Sequence, residues 1–284
     1  PTAAYQRAAN QTDSQYDMLA RLALPHEAFV ELAAYAGECG VEFLATPFSE
    51  ADVEFLVSLG ARALKIASTD IVNGPLLDAA ARSGLPVVLS RGAADYDEIA
   101  AAVGRLRGGG VGALALLHCV SSYPAPEYEA NLAVIHVLHE TFDCVAGFSD
   151  HTESLTIGGY AAAAGARIIE KHITLGRSRH GPDHAFSLEP EQFAEYVRNI
   201  RRTEMLLGHG RIVVSPCERE VRQLSRGSVV AARDIQPGDT LTADMLTVKR
   251  PGDGISPMVI HLLLGKQARQ AIPADAAVTW EALV

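Results

Sequence analysis

Two histidines, His151 and His172, lie in contexts suited to holding a divalent metal ion, each close to a carboxylate (Asp150 and Glu170). Two imidazoles suit Mn2+, Zn2+ or Fe2+, and an incomplete protein ligand set leaves positions for water and substrate. A second chemistry surrounds them. Lys65, Arg91 and Lys171 bring positive charge, while Ser68, Ser90 and Ser149 bring hydroxyl donors. Together they predict a cradle for a small anion, phosphate above all, within a chain that is acidic as a whole. Neither G-x-x-x-x-G-K-[ST] nor G-x-G-x-x-G occurs, so a nucleotide cofactor is not indicated. Cys39, Cys119, Cys144 and Cys217 are scattered without a C-x-x-C pair and read as free thiols of a reducing cytoplasm.

These residues need elements to position them. Short apolar, β-branched runs at 41–45, 63–67, 86–89, 112–117, 145–147 and 167–169 suit strands buried on both faces. Between them lie amphipathic stretches at 50–59, 74–82, 95–107, 131–140, 155–164 and 190–207, apolar at helical spacing. The alternation predicts an α/β fold with a parallel sheet, doubly wound or closed as a barrel. Six strand–helix units are expected, where a closed barrel of this kind has eight. Residues 15–22 and 27–39 read as helices on either side of Leu24-Pro25.

The reactive side chains cluster where the strands end. Thr46 follows the first run; Lys65, Ser68 and Asp70 mark the second; Ser90 and Arg91 the third. His118, Cys119, Ser121, Ser122 and Tyr123 close the fourth, Ser149, Asp150 and His151 the fifth, and Glu170, Lys171 and His172 the sixth. In parallel α/β folds the carboxyl ends of the strands form the ligand crevice.

Length and charge bound the rest. With 284 residues, 48% of them hydrophobic, the chain has ample core material, which excludes a disordered or collagen-like protein. Its 24 Lys and Arg against 34 Asp and Glu leave a net charge of −10, which argues against a broad nucleic-acid or membrane-surface face. No apolar run reaches the roughly 18 residues of a membrane span, and no signal peptide is visible, so a cytoplasmic protein is expected. After residue 208 the texture changes. Residues 208–227 read as a linker, and an internal echo follows: Ile235, Leu241, Thr242 and Leu246 are spaced as Ile272, Val278, Thr279 and Leu283. A small β-rich module with pseudo-symmetric halves is predicted.

Several stretches carry a family resemblance: Phe43-Leu-Ala-Thr-Pro-Phe48, Leu64-Lys-Ile-Ala-Ser-Thr-Asp70, Leu117-His-Cys-Val-Ser-Ser-Tyr-Pro124, Gly147-Phe-Ser-Asp-His-Thr152 and Ile169-Glu-Lys-His172. With Gly181-Pro-Asp183 and Val248-Lys-Arg-Pro-Gly-Asp-Gly-Ile-Ser256, they resemble the sialic acid synthase family over essentially the whole chain. The resemblance implies a TIM (β/α)8-type barrel over residues 1–207 lacking its first two strands, a linker at 208–227, and an antifreeze-like (SAF) domain at 228–284. It implies condensation of phosphoenolpyruvate with an N-acylated amino sugar, such as N-acetylmannosamine, to a nine-carbon 2-keto acid with release of phosphate. His151 and His172 match the family's metal ligands, for Mn2+ or Mg2+. Thr46, Lys65, Ser68, Ser90 and Ser149 fall where phosphoenolpyruvate is held, and Tyr123 and Asp183 where the sugar is held. Asp70 is placed to contact the sugar or the water. Arg250 matches an arginine lent by the SAF domain of one subunit to its partner in a domain-swapped homodimer.

Two positions depart from the pattern. Ser121, in the substrate-binding group, stands where bacterial N-acetylneuraminate synthases have Asn, and Arg91 replaces a common Thr. The chain begins at Pro1 without the family's Glu-Ile-Gly-x-Asn-His-x-Gly and Lys-x-Gln motifs. It is therefore expected to be incomplete at its N-terminus, without an acidic catalytic residue and a phosphoenolpyruvate-binding Lys. Two other readings stay open: a different metal-dependent barrel aldolase or hydrolase, and a catalytically dead sugar-binding remnant.

Overall fold

Strands that are apolar on both faces pair most readily inside a helical shell, and that is how the first part of this chain folds. The computed structural model describes residues 14–284; Pro1, where the chain is expected to be incomplete, lies outside them. Among the described residues two helices come first, α1 (Gln15–Leu22) and α2 (His26–Glu38). Five strands then form one parallel sheet in chain order: β1 (Leu64–Ile66), β2 (Val87–Ser90), β3 (Leu114–Cys119), β4 (Val145–Asp150) and β5 (Ile168–Lys171). Helix α3 (Glu50–Ser58) precedes β1; α4 (Gly74–Arg82), α5 (Tyr96–Gly108), α6 (Ala133–Phe142) and α7 (Ile157–Ala163) connect successive strands, and α8 (Pro190–Leu207) follows the last. The sheet curls into a half-barrel of TIM type. All five strands run the same way, so their carboxyl ends share one rim.

Local chemistry explains the element boundaries. Asn73 caps α4 with its side chain and Pro75 sits in the first turn, while Glu189 and Gln192 form a capping box at the start of α8. Both helices occupy the residues expected for them. The core is aliphatic: Leu64, Ile66, Leu89, Leu106, Leu116 and Ile135 have no exposed surface. Gly147 lets β4 approach its neighbours, since a Cβ there would lie 2.4 Å from both the Ile168 carbonyl oxygen and Leu117 Cδ2.

One expected strand is absent. Residues 41–45 are not a strand, so five paired strands stand where six were predicted. Among the described residues their one ladder-like bond is from the Lys65 amide to the Ala45 carbonyl, at 3.4 Å. Among the described residues no strand pairs with the other edge, and Val41 and Leu44 are exposed. An extended segment without a ladder lacks the hydrogen bonds that define a strand.

The chain divides into two compact units, with the second spanning His209–Val284. Where a linker was expected, residues 209–227 include a short helix, α9 (Arg219–Ser225). Beyond it, β6 (Ser228–Ala231) and β7 (Leu246–Lys249) pair antiparallel. The internal echo has a structural meaning. Ile235 and Ile272, equivalent in the two halves, exchange both backbone hydrogen bonds at 2.9 Å. Thr242 and Thr279 each precede a short 3-10 turn, and Val229, Ile235, Leu241, Leu263, Ile272 and Val278 form this unit's own core. Among the described residues no helix is long and apolar enough to cross a membrane.

Candidate active site

Register builds the site. In the β4–β5 pair, Ser149 stands opposite Glu170 and Asp150 opposite Lys171. Side chains alternate between faces along a strand, so His151 and His172, one residue further, return to the face of Ser149 and Glu170. The other face looks toward the helices, where Tyr196 of α8 donates its hydroxyl to Asp150 Oδ2 at 2.9 Å. The rings of His151 and His172 lie 5.5 Å apart between centroids, and Tyr123 packs 4.2 Å from His151 and 6.2 Å from His172. Asp183 approaches His172, with Oδ2 3.9 Å from Nδ1. The structure therefore gathers Tyr123, His151, His172 and Asp183, as expected from sequence.

Burial pushes the pKa of His151 down, against the opposing pull of its bond to the Val120 carbonyl, and burial does the same to His172 against nearby Asp183. Both rings are thus held toward the neutral, metal-ligating form. His151 Nδ1 lies 2.9 Å from the Val120 carbonyl oxygen. That acceptor requires an N–H on Nδ1 and leaves the lone pair on Nε2. Among the described residues no group of three or more His, Cys, Asp or Glu is arranged around one point as a metal cage. The donor set fits a borderline divalent ion held by two imidazoles, with its other positions filled by water or substrate.

Beside the histidines lies the anion cradle. Ser149 Oγ donates to Glu170 Oε1 at 2.6 Å, and buried Lys65 places Nζ 3.6 Å from Glu170 Oε2. Ser68 and Ser121 meet at 3.3 Å between hydroxyl oxygens, with the Cys119 sulfur 3.9 Å from Ser121. Burial raises the Cys119 pKa, so the thiol stays protonated and is no nucleophile. Ser90 Oγ is buried without a hydrogen-bond partner among the described residues. A lone buried hydroxyl costs stability unless a ligand satisfies it.

Two of the three expected cations do not serve this crevice. Arg91 directs Nε and Nη2 to His118 Nδ1, both at 3.1 Å, and Nη1 to the Ala94 carbonyl. His118, fully buried, places Nε2 2.7 Å from the Ala130 carbonyl oxygen. Burial pushes its pKa down to about 4, so it is a neutral acceptor for the arginine. Lys171 is paired with Asp150 on the helix side. Only Lys65 remains on the inner face. Adjacent strand-end residues point oppositely, and sequence position does not reveal which partner a long side chain finds.

Two expected site residues of the first unit are not drawn in. Asp70 accepts from Thr69 and Asn73 within its own turn. Thr46 lines a separate apolar cavity of about 560 Å3 with Leu19, Phe29, Phe48 and Phe55. Arg250, expected to serve a partner's site, belongs to the second unit and is exposed there. Conversely, three contributors were missed by sequence reasoning. Glu170 was noted only as a carboxylate near His172, yet it bridges Ser149 and Lys65. Phe186 stands 5.3 Å from His172 and 5.5 Å from Tyr123 between ring centroids, and nothing in an isolated loop phenylalanine signals that. Gly92, at φ +44°, lets the ends of β1 and β3 close over it: a Cβ there would lie 2.3 Å from Ser68 Cβ and 2.6 Å from Ser121 Oγ. Its position two residues after Ser90 was the available signal.

Comparison with known proteins decides the family. Residues 1–212 match the NeuB family and residues 226–284 the SAF domain. The chain belongs to the NeuB family. Among its relatives, the N,N'-diacetyllegionaminic acid synthase of Legionella pneumophila is 36% identical, over 96% of this chain and 78% of that one. The N-acetylneuraminate-9-phosphate synthase of Mus musculus is 37% identical, over 92% and 73% respectively. The N-acetylneuraminic acid synthetase of Leptospira borgpetersenii, solved with citrate, superposes with a TM-score of 0.70 at 37% identity, covering 76% of each chain. In this NeuB-family chain the gathered residues lie on the carboxyl rim, where barrel enzymes bind ligands.

Proposed function

We propose that this chain is a sialic-acid-type synthase that condenses phosphoenolpyruvate with an N-acylated amino sugar and releases phosphate. One observation supports the reading above all others: a neutral imidazole pair and a cradle of one ammonium and several hydroxyls meet on one rim. Lys65 and the hydroxyls of Ser68, Ser90 and Ser149 receive the phosphate and carboxylate. Lys65 then exchanges its 3.6 Å contact with Glu170 for the anion, and Ser90 gains the partner it lacks. Such donors, fixed before the substrate arrives, stabilise charge without reorganisation. A divalent ion on His151 and His172 would act as a Lewis acid toward the sugar aldehyde.

Tyr123 and Asp183, beside the histidines, orient the sugar so that its aldehyde carbon faces C3 of the enol. A C–C bond forms there, the aldehyde oxygen takes a proton, and C2 becomes oxocarbenium-like. Water adds at C2 and loses a proton, and the adduct breaks its C–O bond to release phosphate and leave the 2-keto acid. Ser121, 3.3 Å from Ser68 between hydroxyl oxygens, completes the substrate set, and Arg250 reaches the site of a second copy in a homodimer. The relatives point to N-acetylated or diacetylated sugars as the acceptor class.

The test supplies phosphoenolpyruvate and Mn2+ with N-acetylmannosamine or a diacetamido hexose, and follows phosphate together with the keto acid by mass spectrometry. Phosphate release that depends on the sugar, with a product of summed mass, is expected. Release that ignores the sugar, or no binding of phosphoenolpyruvate, refutes the proposal.

A further inference from the structure

We propose that Lys171 is a positioning residue that clamps the two histidines into one unit; this rests on the reading of His151 and His172 as metal ligands. Lys171 directly precedes His172. From β5 its ammonium reaches across to β4, where it meets Asp150 Oδ2 at 2.9 Å and also donates to the Thr152 carbonyl. Asp150 and Thr152 are the residues on either side of His151. One side chain, anchored beside one histidine, thus grips the backbone segment that carries the other.

The grip is built rather than incidental. The side chains of Lys171 and Asp150 are 2% and 0% exposed. Asp150 accepts from three donors: Lys171, the Tyr196 hydroxyl at 2.9 Å and the Thr152 amide at 2.8 Å. The ammonium also lies 5.5 Å from the centroid of the Tyr196 ring. Even the space for that ring is reserved, because a Cβ on Gly158 would lie 2.5 Å from Tyr196 Cζ. Among the described residues this is the ion pair whose two side chains are both fully enclosed. It faces away from the crevice, so it does not bind substrate. Its geometric consequence is the fixed separation of the two imidazoles on the opposite face. Groups behind metal ligands that fix ligand orientation commonly carry roughly 10–100-fold in metal affinity.

The experiment titrates Mn2+ by the electron paramagnetic resonance signal of the free ion, well below the melting temperature of each protein. It compares wild type with Lys171→Gln and His151→Asn. A folded Lys171→Gln protein is expected to bind Mn2+ roughly 10–100-fold more weakly. The imidazole 1H–15N spectrum of the metal-free protein gives a second readout: wild type keeps His151 in the Nδ1–H tautomer, and Lys171→Gln averages the two tautomers. Unchanged Mn2+ affinity and unchanged imidazole spectra in the variant overturn the proposal. If wild type takes up no Mn2+, or His151→Asn binds it equally well, the metal reading fails by itself, and the spectra alone decide the clamp. If Lys171→Gln does not fold, Tyr196→Phe, which removes a single hydrogen bond from Asp150, is read in its place by the same criteria.

Discussion

His118 makes the stability of the first unit depend on pH in a calculable way. The ring is fully buried, takes two guanidinium contacts from Arg91 at 3.1 Å and sits 2.7 Å from the Ala130 carbonyl oxygen. Its folded pKa is about 4 against an ordinary value of 6.5, because burial, and then the neighbouring arginine, oppose a second proton. Between these values the unfolded chain binds a proton that the fold refuses, so stability rises with pH across that window. It is fully present above pH 6.5 and lost progressively as the pH falls toward 4. The loss is ~2 kcal/mol at pH 5 and ~3 kcal/mol once both states are protonated. For a unit of this size, 2 kcal/mol lowers Tm by ~4–8 °C.

The assay is a melting curve at pH 7.5 and at pH 5 for wild type and His118→Gln. Glutamine keeps an acceptor for Arg91 and a donor for Ala130 but takes up no proton in this range. Burial also lowers the pKa of His151 and His172, yet both are present in the two proteins and cancel in the comparison. Wild type is expected to lose several degrees more than the variant. Equal losses in the two proteins would refute a neutral, arginine-accepting His118.

Two further substitutions separate packing from binding. Ser90→Ala removes a buried hydroxyl that has no partner among the described residues, so Tm should hold or rise, while phosphoenolpyruvate affinity, read by calorimetry, falls roughly 10-fold or more. A drop in Tm with unchanged affinity contradicts the ligand role of Ser90. Gly92→Ala forces a methyl to within 2.3 Å of Ser68 Cβ at a positive φ; it should cost ~1–3 kcal/mol in thermal melts, and a wild-type Tm would show that the three strand ends do not depend on that bare backbone.

Much of this protein was legible before folding. Alternating apolar runs and amphipathic stretches specify strands and helices through local hydrogen bonding and one-sided burial, so α4 and α8 fall on the expected residues. The parallel order sends every strand's carboxyl end to one rim, which is why Lys65, Ser90, Ser149, His151 and His172 could be named as one site. The echo in the second unit was legible for the same reason: equal spacing of apolar residues brings Ile235 against Ile272.

Tertiary structure alone decided how that rim is used. Whether residues 41–45 become a strand depends on a neighbour across the sheet, which local sequence does not contain. Arg91 turns to His118, 27 positions away, and Lys171 to Asp150, because a cation that the fold encloses needs an enclosed acceptor to offset its lost hydration. Glu170, Gly92 and Phe186 gain roles only when separate loops converge on them. Sequence determines which groups are available at the rim, through short-range periodicity and chain direction. Which of them face the ligand is determined by the partners that distant segments supply, because a buried charge or hydroxyl must be satisfied wherever the fold provides the means.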